Sequence, residues 1–244
     1  MDRVIFVHIP KTAGTSLMTS LREDVGNTFF DYNNPMSWRS PLREGRCILD
    51  SRTTTDVREP VVFGHFLAGK YADASVSGFK KRQGHLYVTF VREPLQRAIS
   101  HYHYWHRIEL PGHRVWRQFR KGRWPLDRFL LSKEMANIYS KFLWGFPIQN
   151  FDFIGLSERY DESVRLLSEA APALRKLKSR RENVNLNSSG QAYTVDASLA
   201  DAFEKLNVAD YRIYEHALCT FARQRHMYRR DLETVDSENG RSTS

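Results

Sequence analysis

The sequence predicts an α/β fold in which a central parallel sheet is flanked by helices. Short runs of β-branched and aromatic residues recur along the chain, and each is followed by a turn signal and a helix-like segment. Strands that alternate with helices in this way are typical of a parallel sheet with crossover connections. With 244 residues, of which 41% are hydrophobic, the chain is long enough to form one large domain around a single core.

The predicted strands are apolar runs, and the predicted helices follow them with recognisable start signals. The strands are expected at residues 4–7, 61–63, 86–91 and 151–154. The helices are expected at residues 15–25, 94–107, 134–143, 159–170, 197–207 and 209–225. Thr15 and Ser16 open the first helix, Pro94 stands in the first turn of the second, and Asp196 precedes an Ala- and Leu-rich run.

Composition and charge restrict the classes of ligand. We expect a single globular domain over residues 1–230 and a disordered tail over residues 231–244, where the sequence becomes polar. The chain has 37 Lys and Arg residues against 28 Asp and Glu residues, which leaves a formal charge of +9. This balance favours an anionic ligand or surface, and phosphate, acidic glycan, nucleic acid and acidic lipid all remain open.

The two cysteines and the apolar runs indicate the compartment. Cys47 and Cys219 are far apart, and no cysteine or histidine cluster has the spacing of metal ligands. The first apolar run is too short for a signal peptide, and no run approaches the ~18 apolar residues of a membrane span. We therefore expect reduced thiols in a cytoplasmic protein without a membrane span.

The stretch VHIPKTAGTSL, residues 7–17, predicts an anion site at the first turn after a strand. A helix that begins near Thr15 would present the backbone N–H groups of Gly14, Thr15 and Ser16, and Lys11 would add a positive charge. The order GxxxxGK[ST] of a magnesium-nucleotide loop is absent, because the lysine precedes the glycine. An ordinary turn with a solvent-facing lysine is the alternative.

A second stretch, residues 88–102, is predicted to bring an arginine and a serine to the same place. Arg92 stands at the carboxyl end of a buried strand, and Ser100 lies two turns into the following helix. Ligands of open parallel sheets bind outside the carboxyl ends of the strands, so Arg92 and Lys11 are expected to converge on one crevice. The guanidinium fork and a hydroxyl together suit a phosphate group.

The segments PKTAGTS and VREPLQRAISHY together resemble the pair of signatures in sulfotransferases that use 3′-phosphoadenosine 5′-phosphosulfate (PAPS). The resemblance runs from about residue 4 to residue 221 and is closest to the branch that sulfates glycan hydroxyls. It implies a three-layer fold related to the P-loop kinases. It also implies that the 5′-phosphosulfate is held by Lys11, Thr12, Ala13, Gly14, Thr15 and Ser16 and the 3′-phosphate by Arg92 and Ser100.

Transfer of a sulfuryl group to an alcohol requires a base and a positive charge on the leaving oxygen. Lys11 is suited to stabilise the leaving group. His65 follows the strand at 61–63, and it matches the position where the glycan-sulfating branch keeps a catalytic histidine. The alternative is a turn histidine bonded to a backbone carbonyl. Phe63 stands where uronyl-directed relatives carry a second histidine, which leaves the acceptor sugar open.

Two further segments have alternative interpretations. Residues 182–190 lie where the family places a loop that covers PAPS, but the same residues suit a polar surface loop. Residues 107–128 are rich in arginine, with Trp116, Phe119 and Trp124 between the cations. This segment is either a trough for an anionic polysaccharide or a solvated basic face whose aromatic residues point inward. Single-stranded nucleic acid is the third and least favoured partner.

The sequence therefore predicts a PAPS-dependent O-sulfotransferase that needs no metal and acts on a hydroxyl of a carbohydrate, without a nucleic-acid partner. A magnesium-dependent small-molecule kinase is the first alternative, and it would be indifferent to a 3′-phosphate. The second alternative is a non-catalytic polyanion-binding module in which Arg114, Arg117 and Arg120 dominate binding. The acceptor and the oligomeric state are not predicted.

Overall fold

The computed structural model describes residues 3–32, 57–180 and 192–239, with side chains as far as Met227. The strands are β1 (Arg3–Val7), β2 (Thr28–Asp31), β3 (Val61–Gly64), β4 (Asp73–Ser75), β5 (Gly78–Lys80), β6 (His85–Val91) and β7 (Phe153–Leu156). Five of them form one parallel sheet in the order β2-β3-β1-β6-β7, and β4 pairs with β5 in a separate antiparallel ribbon.

Helices flank the central sheet. They are α1 (Gly14–Ser20), α2 (Pro94–Arg107), α3 (Arg114–Lys121), α4 (Leu126–Leu130), α5 (Ile138–Phe142), α6 (Tyr160–Ala170), α7 (Ala197–Leu206) and α8 (Val208–Asn239). The first helix continues into a π-helical turn over Leu21–Val25. The predicted α/β fold with a central parallel sheet between helices is confirmed.

The central strands are buried on both faces, which explains why they appear in the sequence as continuous apolar runs. Every residue of the run Val4, Ile5, Phe6 and Val7 is fully buried. A second hydrophobic cluster, built largely of aromatic residues, joins α2 to α3 and α4 through Trp105, Phe119 and Phe129. This cluster fixes α2 against α3 and α4.

The register of the strands brings three loops to one edge of the sheet. Val7, the last residue of β1, is the partner of Gly64 at the end of β3 and of Thr89 near the end of β6. Because β1 lies between β3 and β6, the segments that follow all three strands emerge side by side. The connections that carry Lys11, His65 and Arg92 are therefore neighbours.

The observed boundaries differ from the predicted ones where tertiary contacts interrupt a pattern. The helix predicted at 134–143 is shortened to α5 because Asn137 has a left-handed φ of 50°. Its backbone N–H donates to Asn207 Oδ1 and its side-chain amide donates to the carbonyl of Leu206, so these bonds replace a helical turn. The strand predicted at 151–154 is found two residues later, as β7.

Three further expectations concern the C-terminal tail, the cysteines and a membrane span. Helix α8 extends to Asn239 and thus into residues 231–244, while the division of the chain at residue 230 stays a prediction. Cys219 is an exposed free thiol, and Cys47 lies outside the described residues. A search of the described helices finds none that combines the length and the apolar character needed to cross a membrane.

Gly64 offers a test of the packing between β2 and β3. A methyl group at this position would lie 2.0 Å from the backbone oxygen of Asp31 on the neighbouring strand. We expect Gly64→Ala to lower the free energy of unfolding by about 1–3 kcal/mol, measured by urea denaturation, because the strands must separate to admit the methyl. The matched control Gly112→Ala meets open space and should change stability by less than about 0.5 kcal/mol. Equal effects would contradict this packing.

Candidate functional site

The loop between β1 and α1 has an unusual backbone conformation. Lys11 and Ala13 have φ angles of 72° and 68°, in the left-handed region that non-glycine residues seldom adopt. Alternation of left- and right-handed residues turns successive N–H groups toward a common point, which makes an anion-binding concavity. No side chain of the described residues caps the first turn of α1, so its N–H groups are available to a ligand.

The predicted site residues meet around one cavity of about 200 Å³. From the β1–α1 loop and the first turn of α1 the cavity is lined by Lys11, Ala13, Gly14, Thr15 and Ser16. From other elements it is lined by His65, Arg92 and Ser100. The side chain of Thr12 lies elsewhere, because it is buried and its hydroxyl donates to the carbonyl of Ile9 at 2.9 Å. Thr12 therefore closes the turn.

Positive charge accumulates around Lys11. Its ammonium group lies 4.1 Å from the centroid of the Tyr104 ring. Burial, together with repulsion from Arg107, Arg92 and Arg97, lowers the pKa of Lys11 to about 8. No carboxylate lines the cavity among the residues that the structure describes. An anion bound here would relieve the repulsion and favour the charged form of Lys11.

The hydrogen bonds that fix Arg92 are made by its backbone. The guanidinium group is therefore left to bind a ligand. The N–H of Arg92 donates to the hydroxyl of Tyr139 at 2.9 Å, and this hydroxyl in turn donates to the carbonyl of Arg92. The guanidinium carbon of Arg92 lies 5.8 Å from the centroid of the Tyr193 ring. Ser100 faces the same cavity from α2, whose first turn is capped by the Glu93 carboxylate.

The His65 ring can accept a proton on Nε2. Its Nδ1 lies 2.6 Å from the carbonyl oxygen of His8, which can only accept, so Nδ1 carries the proton and Nε2 keeps a free electron pair. Burial lowers the pKa of His65 to about 4, so the ring is neutral at neutral pH. The bond to a backbone carbonyl, which the alternative interpretation of a turn histidine predicted, and a position on the cavity are thus both present.

His8 and Tyr104 also line the cavity, and sequence analysis did not identify them. The rings of His8 and His65 are stacked, with centroids 4.3 Å apart and an angle of 23° between their planes. A signal for His8 exists in the sequence, because it follows a buried strand directly, as His65 does. Tyr104 lies one helical turn after Ser100 and so shares its face of α2.

Apart from Arg107, which ends α2 and acts on Lys11, the basic segment packs on another side of α2 from the cavity. Trp116, Phe119 and Trp124 are buried, as the interpretation of a solvated basic face requires. Phe119 packs against the side of α2 that carries Tyr102 and His106, which differs from the side that lines the cavity. Within the described chain no ion pair neutralises the exposed cations of this face, which are Arg114, Arg117, Arg120, Lys121, Arg123 and Arg128.

The possible covering loop at 182–190 lies outside the described residues. The chain is described again from residue 192, and Tyr193 is fixed beside the site. Its N–H donates to Gln96 Oε1 at 2.7 Å, and its carbonyl accepts from Gln96 Nε2 at 2.8 Å. The segment that begins at residue 192 therefore lies next to Arg92.

Comparisons with known proteins identify a family and a similar solved structure. A family model described as the sulfotransferase family matches residues 1–218. The crystal structure of a sulfotransferase from Alicyclobacillus acidocaldarius is 13% identical, with a TM-score of 0.42. The alignment covers 88% of this chain and 95% of that chain. No curated protein matches the sequence.

The lowered pKa of Lys11 predicts an unusually reactive amine. With a pKa of about 8, about a quarter of Lys11 side chains are neutral at pH 7.5, against roughly 0.1% for an ordinary lysine. We expect an amine-acylating reagent, followed by mass spectrometry, to modify Lys11 at least about tenfold faster than the exposed Lys121. Pyrophosphate should slow the reaction at Lys11 alone. Equal rates at the two lysines would contradict the lowered pKa of Lys11.

Proposed function

The chain belongs to the sulfotransferase family, and we propose that it transfers the sulfuryl group of PAPS to a hydroxyl group of a carbohydrate. One observation supports this most directly. Lys11, Arg92 and Ser100 come from separate elements and line a single cavity together with the N–H-rich β1–α1 loop. A donor with a phosphosulfate at one end and a 3′-phosphate at the other matches two anion sites in one cavity.

In this proposal the two anionic ends of the donor bind on two different sides of the cavity. The 5′-phosphosulfate lies against the β1–α1 loop, where Lys11, Ala13, Gly14, Thr15 and Ser16 surround it. Thr12 contributes from beneath, because its hydrogen bond to Ile9 closes the turn. The 3′-phosphate lies between the Arg92 guanidinium and the Ser100 hydroxyl. Both side chains line the cavity, and the backbone of Arg92 is fixed by Tyr139.

The reaction forms one bond to sulfur as another breaks. The acceptor oxygen attacks the sulfur atom, and the bond between sulfur and the bridging oxygen of the 5′-phosphate breaks. His65 takes the acceptor proton on Nε2, which is unprotonated because Nδ1 donates to the carbonyl of His8. Lys11 stabilises the negative charge that develops on the departing phosphate. A neutral His65 at all pH values above about 5 keeps the base available.

A magnesium-dependent kinase receives less support from the described residues. Magnesium in nucleotide sites is usually held through one or two carboxylates, and the described lining of the cavity contains none. A polyanion-binding module is favoured by a different observation, the unneutralised cations on α3 and α4. That function makes no use of the cavity, so it predicts that Arg92 and His65 are dispensable.

Nucleotide binding separates these functions. We expect 3′-phosphoadenosine 5′-phosphate to bind in calorimetry at least about tenfold more tightly than ADP, with or without Mg²⁺, because Arg92 and Ser100 recognise the 3′-phosphate. Arg92→Ala should remove most of this preference. The matched control Arg117→Ala changes an exposed arginine on α3 and should leave both affinities unchanged.

Each contrary result points to another function. Equal or Mg²⁺-dependent binding of ADP would favour the kinase. Binding of neither nucleotide, together with loss of heparin binding in Arg114→Ala, Arg117→Ala and Arg120→Ala, would favour the polyanion module. Retention of the preference in Arg92→Ala would contradict the assignment of the 3′-phosphate site.

The roles of His65 and Lys11 are tested by transfer of labelled sulfuryl groups to a panel of glycosaminoglycans and neutral oligosaccharides. We expect His65→Ala to lower kcat by about 10²–10⁴ through loss of the base. Lys11→Ala should lower kcat by about 10²–10³ through loss of leaving-group stabilisation. Because protonation removes the base, activity should fall on the acid side near pH 4 rather than near pH 6.5.

Exposed residues provide the matched controls for these two variants. His226→Ala and Lys121→Ala change the same residue types outside the cavity and should keep full activity. Full transfer by His65→Ala or Lys11→Ala, on an acceptor that the parent protein sulfates, would show that the assigned role is wrong.

A further inference from the structure

His8 contacts the base in two independent ways. Its ring is stacked on the His65 ring, and its carbonyl oxygen accepts the hydrogen bond from His65 Nδ1. The N–H of His8 donates to the carbonyl of Gly64, the residue before His65, at 2.8 Å. The end of β1 thus holds both the backbone and the ring of the segment that carries the base.

The His8 ring is itself fixed on several sides. It lies parallel to Phe63 as well, with centroids 5.1 Å apart and an interplanar angle of 17°. His8 Nδ1 lies 3.0 Å from the hydroxyl of Tyr32, at the end of the neighbouring β2 segment. Only 7% of the His8 surface is exposed, so this ring has little freedom to turn.

The remaining nitrogen of His8 points at Gly14. A methyl group on Gly14 would lie 1.7 Å from His8 Nε2 and 1.8 Å from Cε1. The φ of Gly14 lies outside the left-handed region, so the backbone conformation does not require glycine here. The absence of a side chain instead allows the β1–α1 loop to rest directly on the His8 ring.

We propose that His8 is a positioning residue that sets the distance between the base His65 and the loop that holds the sulfuryl group. The proposal rests on the proposed function, because it assigns His8 a part in that reaction. One face of the ring supports His65, and one edge supports Gly14. A single rigid ring therefore links the acceptor side of the reaction to the donor side.

His8 forms part of the cavity wall, but its Nε2 atom is buried. Its Nε2 has almost no accessible surface and finds no hydrogen-bond partner within the described part of the chain. A buried polar atom without a partner is unfavourable, so an apolar ring would satisfy packing alone better than histidine does. The imidazole is retained beside Tyr32, whose hydroxyl fixes its orientation through Nδ1.

The test compares His8→Ala with the parent protein in two measurements. We expect kcat for sulfuryl transfer to fall by about tenfold to a hundredfold, because His65 loses its stacked neighbour and tilts. Calorimetric affinity for 3′-phosphoadenosine 5′-phosphate should stay within about threefold, because His8 touches the loop only from beneath. The partner variant Tyr32→Phe should lower kcat in the same direction by a smaller factor.

Gly14→Ala supplies a compensation experiment. Alone, it should weaken nucleotide binding by at least about tenfold, because the loop must rise from the His8 ring. The double variant Gly14→Ala/His8→Ala should recover the affinity to within about threefold of the parent, while kcat stays low. The urea midpoint should follow the same pattern of loss and recovery, so the steric claim is tested without activity.

The outcomes separate this inference from the proposed function. A kcat within about threefold of the parent in His8→Ala would overturn the positioning role while the parent remains an active sulfotransferase. Failure of His8→Ala to restore nucleotide affinity and stability in Gly14→Ala would overturn the contact between loop and ring. A parent protein that binds the nucleotide and transfers nothing would overturn the proposed reaction, and the positioning role with it.

Discussion

The site depends on a concentration of positive charge around Lys11, where the described lining of the cavity contains no carboxylate. Burial disfavours the charged form of the Lys11 ammonium, and Arg107, Arg92 and Arg97 repel it. Such an arrangement is unfavourable in the unliganded protein and favourable once an anion is bound. An anion bound in the cavity would offset this unfavourable free energy, which supports the proposed polyanionic donor.

The described lining of the cavity contains no carboxylate, although Asp210 and Glu93 interact with the buried Arg97. Asp210 on α8 is buried, and burial raises its pKa. Its oxygens accept from the backbone N–H groups of Tyr139 and Ser140, so its hydrogen-bonding capacity is used at the start of α5. Tyr139 then fixes the backbone of Arg92 through its hydroxyl. The last helix thereby positions Arg92, the residue proposed to bind the 3′-phosphate, while the negative charge of Asp210 remains outside the cavity lining.

The sequence predicted the central fold and most of the cavity because both follow from strand ends. Continuous apolar runs identify buried parallel strands, and residues that directly follow such strands must converge at one edge of the sheet. The edge strand β2 was missed because it is short and half-buried, and α3 and α4 were missed because charge obscured their aromatic face. His8 was missed because its importance lies in contacts with Gly64, His65 and Gly14, which only the folded chain brings together.

Gly14 shows how one motif residue can satisfy two constraints that differ in origin. From the sequence, a glycine at the first turn of a helix suggests room for a phosphate to approach the backbone. In the structure a side chain on Gly14 would project toward the other side of the loop, where the His8 ring already occupies the space. Position 14 is therefore restricted by the ligand on one side and by the base-supporting ring on the other. The choice of residue at position 8 limits the choice at position 14 through steric contact. Neither the charge nor the hydrogen bonds of the loop are involved.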